Sequence, residues 1–443
     1  MGSVAIFLVA IAGILVLGAV GEIVFRKTQL PDVLWLIAAG IFLGPVTGIL
    51  TREQLGHVAP YFAAITLVVV LFEGGSRLKL SDVSRAAPRS GILAVFTFLL
   101  AVVVVAALSM LAKWAGWLPE VWSPQHGILL GAILGGSSSI IIMPSMSLAK
   151  VESKIANLVN LESAFTDAFC VVGASAMIDV LASQGTHGQS PLVALGRSFG
   201  IGLGIGTVGA TAWLLMLRVL RGSEHAYPAT LSALLALYVV IDHAGGSAAL
   251  GILAFAVLVG NADIIGKKLD IPGLELGSEV RGVHSQIAFI IKSFFFTFIG
   301  AMLGPPWSLF ALGVGLGAVL FAARVPGVRL AVLGARLDRN ERRLVDVSMP
   351  RGMAAGVLAT LPAAAGIAGT ERLATIVFAT VLTSIVVFAI GFRSARKALP
   401  VPVPPMPLTE TPVGALAADV PPAESATPPP VATEPGGDEP AQG

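Results

Sequence analysis

The stretch V-N-L-E-S-A-F-T-D-A-F-C-V-V, residues 159–172, sets two carboxylates, Glu162 and Asp167, and two hydroxyls, Ser163 and Thr166, into an apolar segment. Ser163 and Asp167 are four residues apart, so on a helix they share a face. A carboxylate with oxygen donors beside it holds either a proton or a hard cation. An Asp167 that only hydrogen-bonded a neighbouring helix would leave unexplained why carboxylate, hydroxyl and carboxylate crowd one segment. A second stretch, G-G-S-S-S-I-I-I-M-P-S-M at 135–146, lines up Ser137, Ser138 and Ser139 behind two glycines and ahead of Pro144. Glycine and proline weaken a helix there, and freed carbonyls and hydroxyls suit a hard cation. Small residues would equally allow a close helix contact. A third stretch, M-P-R-G-M-A-A-G-V-L-A-T-L-P at 349–362, is interrupted in the same style by Pro350, Gly352, Gly356 and Pro362.

The rest of the chain must place these groups inside a membrane. Of 443 residues, 55% are hydrophobic and 12% charged, against about 25% charged in soluble domains. The net charge of +2 and the lack of a basic run argue against nucleic acid. The single cysteine, Cys170, excludes a disulfide framework, and six scattered histidines without an H-E-x-x-H pattern offer no zinc hydrolase site. No cofactor is expected, and no enzyme. An intramembrane aspartyl protease would need a second central aspartate.

A spanning helix takes about 20 mostly apolar residues. Thirteen stretches qualify: 4–25, 33–50, 58–76, 90–112, 127–149, 155–181, 191–217, 227–242, 246–262, 284–304, 307–333, 346–365 and 372–392. The first has no basic lead and no small-residue cleavage site, and reads as a retained span. With the N-terminus outside, 21 of the 28 Lys and Arg fall on the cytoplasmic side, 4 outside and 3 within spans. The expected fold is an all-α polytopic membrane domain over 1–395. A Pro/Ala-rich, disordered cytoplasmic tail over 396–443 follows it.

Asp167 lies roughly 18 Å into the sixth span at ~1.5 Å per residue, near the bilayer centre. The interrupted spans are the fifth of each six-helix half. Because one span separates the halves, they have opposite orientation, which is the pattern of an inverted repeat with two broken helices at its binding site. Arg324 lies at nearly the depth of Glu162 and is its expected partner, with Lys292 as the rival. Arg351 opens the twelfth span as an interfacial charge or a structural anchor. Glu73 sits near Arg77 and Lys79 at the end of the third.

Five motifs in order resemble the cation:proton antiporter superfamily, nearest its NhaP-type branch. They are L-F-E-G-G-S-R-L-K-L (71–80), N-L-E-S-A-F-T-D (160–167), I-I-K-S-F-F-F-T-F-I-G (290–300), A-A-R-V-P-G-V (322–328) and P-R-G-M-A-A-G-V-L (350–358). The resemblance implies a cell-membrane homodimer, with a dimerisation domain and an elevator-like core that carries Na+, Li+ or K+ against H+. It puts Asp167 at the ion-binding aspartate, Ser163 at its helper hydroxyl, and Glu162 with Arg324 at a structural ion pair. Ser137 and Ser138 fall where many members carry Thr-Asp, and Thr166 replaces an Asn. Glu73 is a candidate for the ion-binding set or else an interfacial carboxylate beside Arg77 and Lys79, and Lys292 and Arg351 are further candidates. A channel or uniporter of similar fold is the alternative reading.

Overall fold

No water reaches the backbone in a bilayer core, so a spanning segment must pair its own amides, and a helix does so. The computed structural model describes residues 3–28, 30–78, 80–183, 191–220, 223, 225–268, 270–271, 276–331, 333 and 337–397. Of the expected disordered tail at 396–443, Arg396 and Lys397 instead continue the last helix, and residues 398–443, like Lys79, lie outside the described residues. The elements run α1 (Ser3–Thr28), α2 (Asp32–Ile41) with a wider π turn (Phe42–Val46), α3 (Arg52–Arg77), α4 (Leu80–Trp114), α5 (Pro124–Leu134) and α6 (Ser139–Leu148). Next come α7 (Ser153–Ser183), α8 (Pro191–Val219), α9 (Ala226–His243), α10 (Ala248–Gly260), α11 (Ala262–Lys268) and α12 (Ser278–Met302). The last are α13 (Trp307–Ala331), α14 (Arg339–Val347), α15 (Met353–Leu358), α16 (Leu361–Ala364) and α17 (Leu373–Lys397).

All thirteen expected segments have helical counterparts in order, but not all are continuous. Among the described residues, ten stretches are long and apolar enough to cross a membrane, and α10 with α11 makes an eleventh, bent by 58°. Two shorter apolar pieces, Asp32–Val46 and Met353–Ala364, stand at the second and twelfth places. Asn261 sits in the bend and donates to Leu78 O at 2.7 Å, tying it to the end of α3. The expected span 127–149 is two helices, because Gly135–Ser138 leaves the helical path. The expected span 346–365 is likewise cut: α14 stops at Val347, and residues 348–352 join it to α15. Large apolar side chains on the outer helix faces, such as Val208 and Tyr61, are exposed, as suits contact with lipid.

Helix ends are fixed locally. Thr51 accepts from Gln54 N while the Gln54 side chain accepts from Thr51 N, a reciprocal cap that starts α3. Asp338 and Glu341 do the same for α14. The two unwound segments lie between such well-formed helices, so their backbone groups need partners from elsewhere.

Candidate functional site

The two unwound segments cross and bond to each other. Ser138 N donates to Pro350 O at 2.8 Å. Arg351 Nη1 donates to Gly136 O, and Arg351 N donates to Ser384 Oγ on α17 at 2.9 Å. Gly136 follows the C-terminal end of α5, so the guanidinium stands where helix carbonyls concentrate negative charge. Gly352 has no room for more: a carbon added there would lie 2.3 Å from Ser138 Oγ. Arg351 is therefore no interfacial charge. It is 4% exposed and anchors the crossing.

One face of α7 serves this crossing through residues 163, 166, 167 and 170, the i, i+3, i+4, i+7 row of a helix. Ser163 Oγ donates to Ser137 O at 2.6 Å, and Thr166 Oγ1 accepts from Ser137 N at 3.2 Å. Both main-chain groups of Ser137 are thus held by side chains of α7. Asp167 Oδ1 and Cys170 Sγ face Gly136: a carbon added to that glycine would lie 3.3 and 2.8 Å from them. The Asp167 side chain is partly exposed, lies within Coulombic reach of Arg351, and has no hydrogen bond or ion pair among the described residues. Ser137 Oγ and Arg351 Nε are buried with no partner among those residues either. A carboxylate, an unpartnered hydroxyl and carbonyls at a break between helices are the kinds of oxygen that can hold a proton or a monovalent cation.

Beside it, Glu162 is fully buried and takes both Arg324 terminal nitrogens, Nη1 to Oε1 and Nη2 to Oε2, at 2.6 Å each. Thr97 Oγ1 adds a bond to Oε1 at 3.3 Å, and Arg324 Nε donates to Val345 O at 3.0 Å. The fork geometry suits a guanidinium and a carboxylate that both lose water. Lys292, the expected rival, does not reach Glu162. It binds Asp32 on α2 at 2.6 Å and stands over the Phe289 ring, because α12 packs along α2. Glu73 is in a cluster of its own, with Arg77 beside it and His284 Nε2 2.6 Å away. Tyr227 in turn bonds His284 Nδ1 at 3.1 Å. Thr97, Ser384 and Cys170 were missed by sequence reading. Only Cys170 carried a signal, as the i+7 neighbour of Ser163.

Residues 7–394 match the family described as sodium/hydrogen exchanger, transmembrane. The K(+)/H(+) antiporter NhaP2 of Shewanella oneidensis is 25% identical over 396 residues, 86% of this chain and 65% of that protein. The chain thus spans just under two thirds of the length of that relative. Na(+)/H(+) antiporter 1 of Methanocaldococcus jannaschii is 23% identical over 356 residues, covering 78% of this chain and 80% of that protein. The solved structure of the sodium proton antiporter MjNhaP1 from the same archaeon, at pH 8, shares the fold. Its TM-score is 0.71 at 21% identity, over 88% of this chain and 97% of that one.

Proposed function

The chain belongs to the sodium/hydrogen exchanger family, and on that premise we propose that it exchanges a monovalent cation, Na+, Li+ or K+, for a proton, with Asp167 holding each in turn. The observation that carries this reading is the Asp167 carboxylate, which meets the crossing with no hydrogen-bond partner among the described residues. An ionised group without a partner is expensive inside a bilayer. The core therefore moves when a proton or a cation neutralises Asp167, and stays when neither does. Ser163 and Thr166 hold Ser137 in place, and Ser137 Oγ is buried with no hydrogen-bond partner among the described residues.

The Glu162–Arg324 pair is internally neutral and takes no part in the exchange. Arg351 is committed to the end of α5. One titrating carboxylate per cycle makes the exchange one cation for one proton, with no net charge moved. With Ser137 and Ser138 at the break, the site lacks the second carboxylate of the Thr-Asp pattern. A less anionic site favours the ion that sheds water more easily, which brings K+ within its range. In this reading the protein is a homodimer in the cell membrane, N-terminus outside and C-terminus cytoplasmic. An elevator-like core built from inverted six-helix repeats carries the ion.

The test is reconstitution of the purified full chain in liposomes with an imposed pH gradient and a fluorescent proton reporter. Saturable dequenching on adding Na+, Li+ or K+, absent in Asp167→Asn, is the expected result. Cation current without proton movement would replace exchange by the channel reading.

A further inference from the structure

Away from the crossing, one face collects arginines from three elements. Arg329 at the end of α13, Arg339 and Arg343 on α14, and Arg393 near the end of α17 are exposed, and Arg342 and Arg396 are partly so. The elements are held together: α14 packs on both α13 and α17, and a carbon added to Gly391 of α17 would lie 2.7 Å from Val347 at the end of α14. Two acids in this region, Asp338 and Glu341, are engaged at the start of α14, while Asp346 Oδ1 is buried with no hydrogen-bond partner among the described residues. Asp338 accepts from the amides of Asn340 and Glu341, and Glu341 accepts from Asp338 N. Asp346 lies within Coulombic reach of Arg324, Arg329 and Arg342. Arg342 Nε is buried with no hydrogen-bond partner among the described residues.

Apolar side chains stand among these charges. Leu333 is 71% exposed and Ile390 67%, and Leu330, next to Arg329, is exposed as well. The inner face of α14 buries Leu344, Val345 and Val347. Arginines interleaved with exposed leucine and isoleucine, on a helix with one apolar side, fit the boundary between acyl chains and headgroups. A soluble acidic partner would give those apolar side chains no role.

We propose that this face, Arg329, Arg339, Arg343 and Arg393, binds the phosphate headgroups of anionic phospholipids in the adjoining leaflet. A guanidinium matches phosphate oxygens with its two-pronged geometry. A net negative lipid adds the attraction that a zwitterionic one lacks. The bound lipid bears on the crossing over a short distance. Val345 O accepts from Arg324 Nε, and only residues 348–350 separate α14 from Arg351. A headgroup that steadies α14 therefore steadies the segment that carries Pro350 and Arg351.

The experiment reads unfolding temperature of the purified full chain in detergent, with added phosphatidylglycerol, phosphatidylcholine or inorganic phosphate. This readout is independent of transport. Phosphatidylglycerol is expected to raise the midpoint by several degrees, and the other two to leave it in place. The R329Q/R339Q/R343Q/R393Q variant should lose that rise while matching wild type in phosphatidylcholine. Should it not fold, R343Q/R393Q serves in its place, with a smaller rise than wild type. Arg372→Gln, at the far end of α17, should keep the full rise. An undiminished rise in the arginine variants, an equal loss in Arg372→Gln, or a rise with inorganic phosphate alone would overturn the proposal.

Discussion

The neighbours Glu162 and Asp167 show how side chains of one chemical type divide labour by their partners. Glu162 has every approach taken, by Arg324 on both oxygens and by Thr97. Asp167, five residues on, has none taken by hydrogen bonds among the described residues. Removing Arg324 strands a buried carboxylate, at a cost of about 3–5 kcal/mol. Arg324→Ala is therefore expected to lower the yield of folded protein and its unfolding temperature, as measured by fluorescence-detected size exclusion on heating. Asp167→Asn removes a charge that accepts no hydrogen bond among the described residues and meets Arg351 only through the Coulombic field. It should unfold within a degree or two of wild type and yet show no cation-driven proton flux. Equal destabilisation in the two variants would contradict this division. The Lys292–Asp32 pair joins α12 to α2 and shares no hydrogen bond with the crossing among the described residues. Lys292→Met should leave exchange close to wild type.

At the scale of elements, the site depends on two breaks fitting together. Gly352 lies against Ser138, so an added methyl must push the segments apart. Forcing such a contact costs about 1–3 kcal/mol. Gly352→Ala should lower the unfolding midpoint and slow exchange together. Gly315→Ala on α13 meets nothing within 4 Å, so it should be neutral, or stabilising by up to about 1 kcal/mol. Both breaks were legible in the sequence, because Gly135, Gly136 and the three serines, and then Pro350 and Gly352, interrupt otherwise apolar runs. That they bond to each other was not, since a main-chain bond from residue 138 to residue 350 leaves no mark on side-chain types. The short twelfth segment was also hidden, because Val345, Val347 and Met349 ahead of its helical start keep the composition apolar. The Glu162–Arg324 pairing was legible by matching depth. The same matching left Lys292 as an equal rival, because the pairing of α12 with α2 is a packing outcome that depth does not encode.

For the whole molecule, the charge bias between loops sets the expected orientation. A tag at Gly443 should stay unlabelled by an impermeant reagent on intact cells and become labelled after permeabilisation. One cation for one proton moves no charge, so turnover in liposomes should not change when a valinomycin-set potential is imposed. A clear voltage dependence would bring a second titrating residue into the cycle. The Ser138 N to Pro350 O tie has a further consequence for the history of such proteins. It is written in main-chain atoms, which every residue but proline supplies alike. The frame is thus blind to the identity of residue 138, apart from the space beside Gly352, while the ion is not. A lineage can replace the residue at this position and keep this main-chain tie. Ser138→Asp puts that to work: it should still fold, and it should raise the preference for Na+ over K+ relative to wild type.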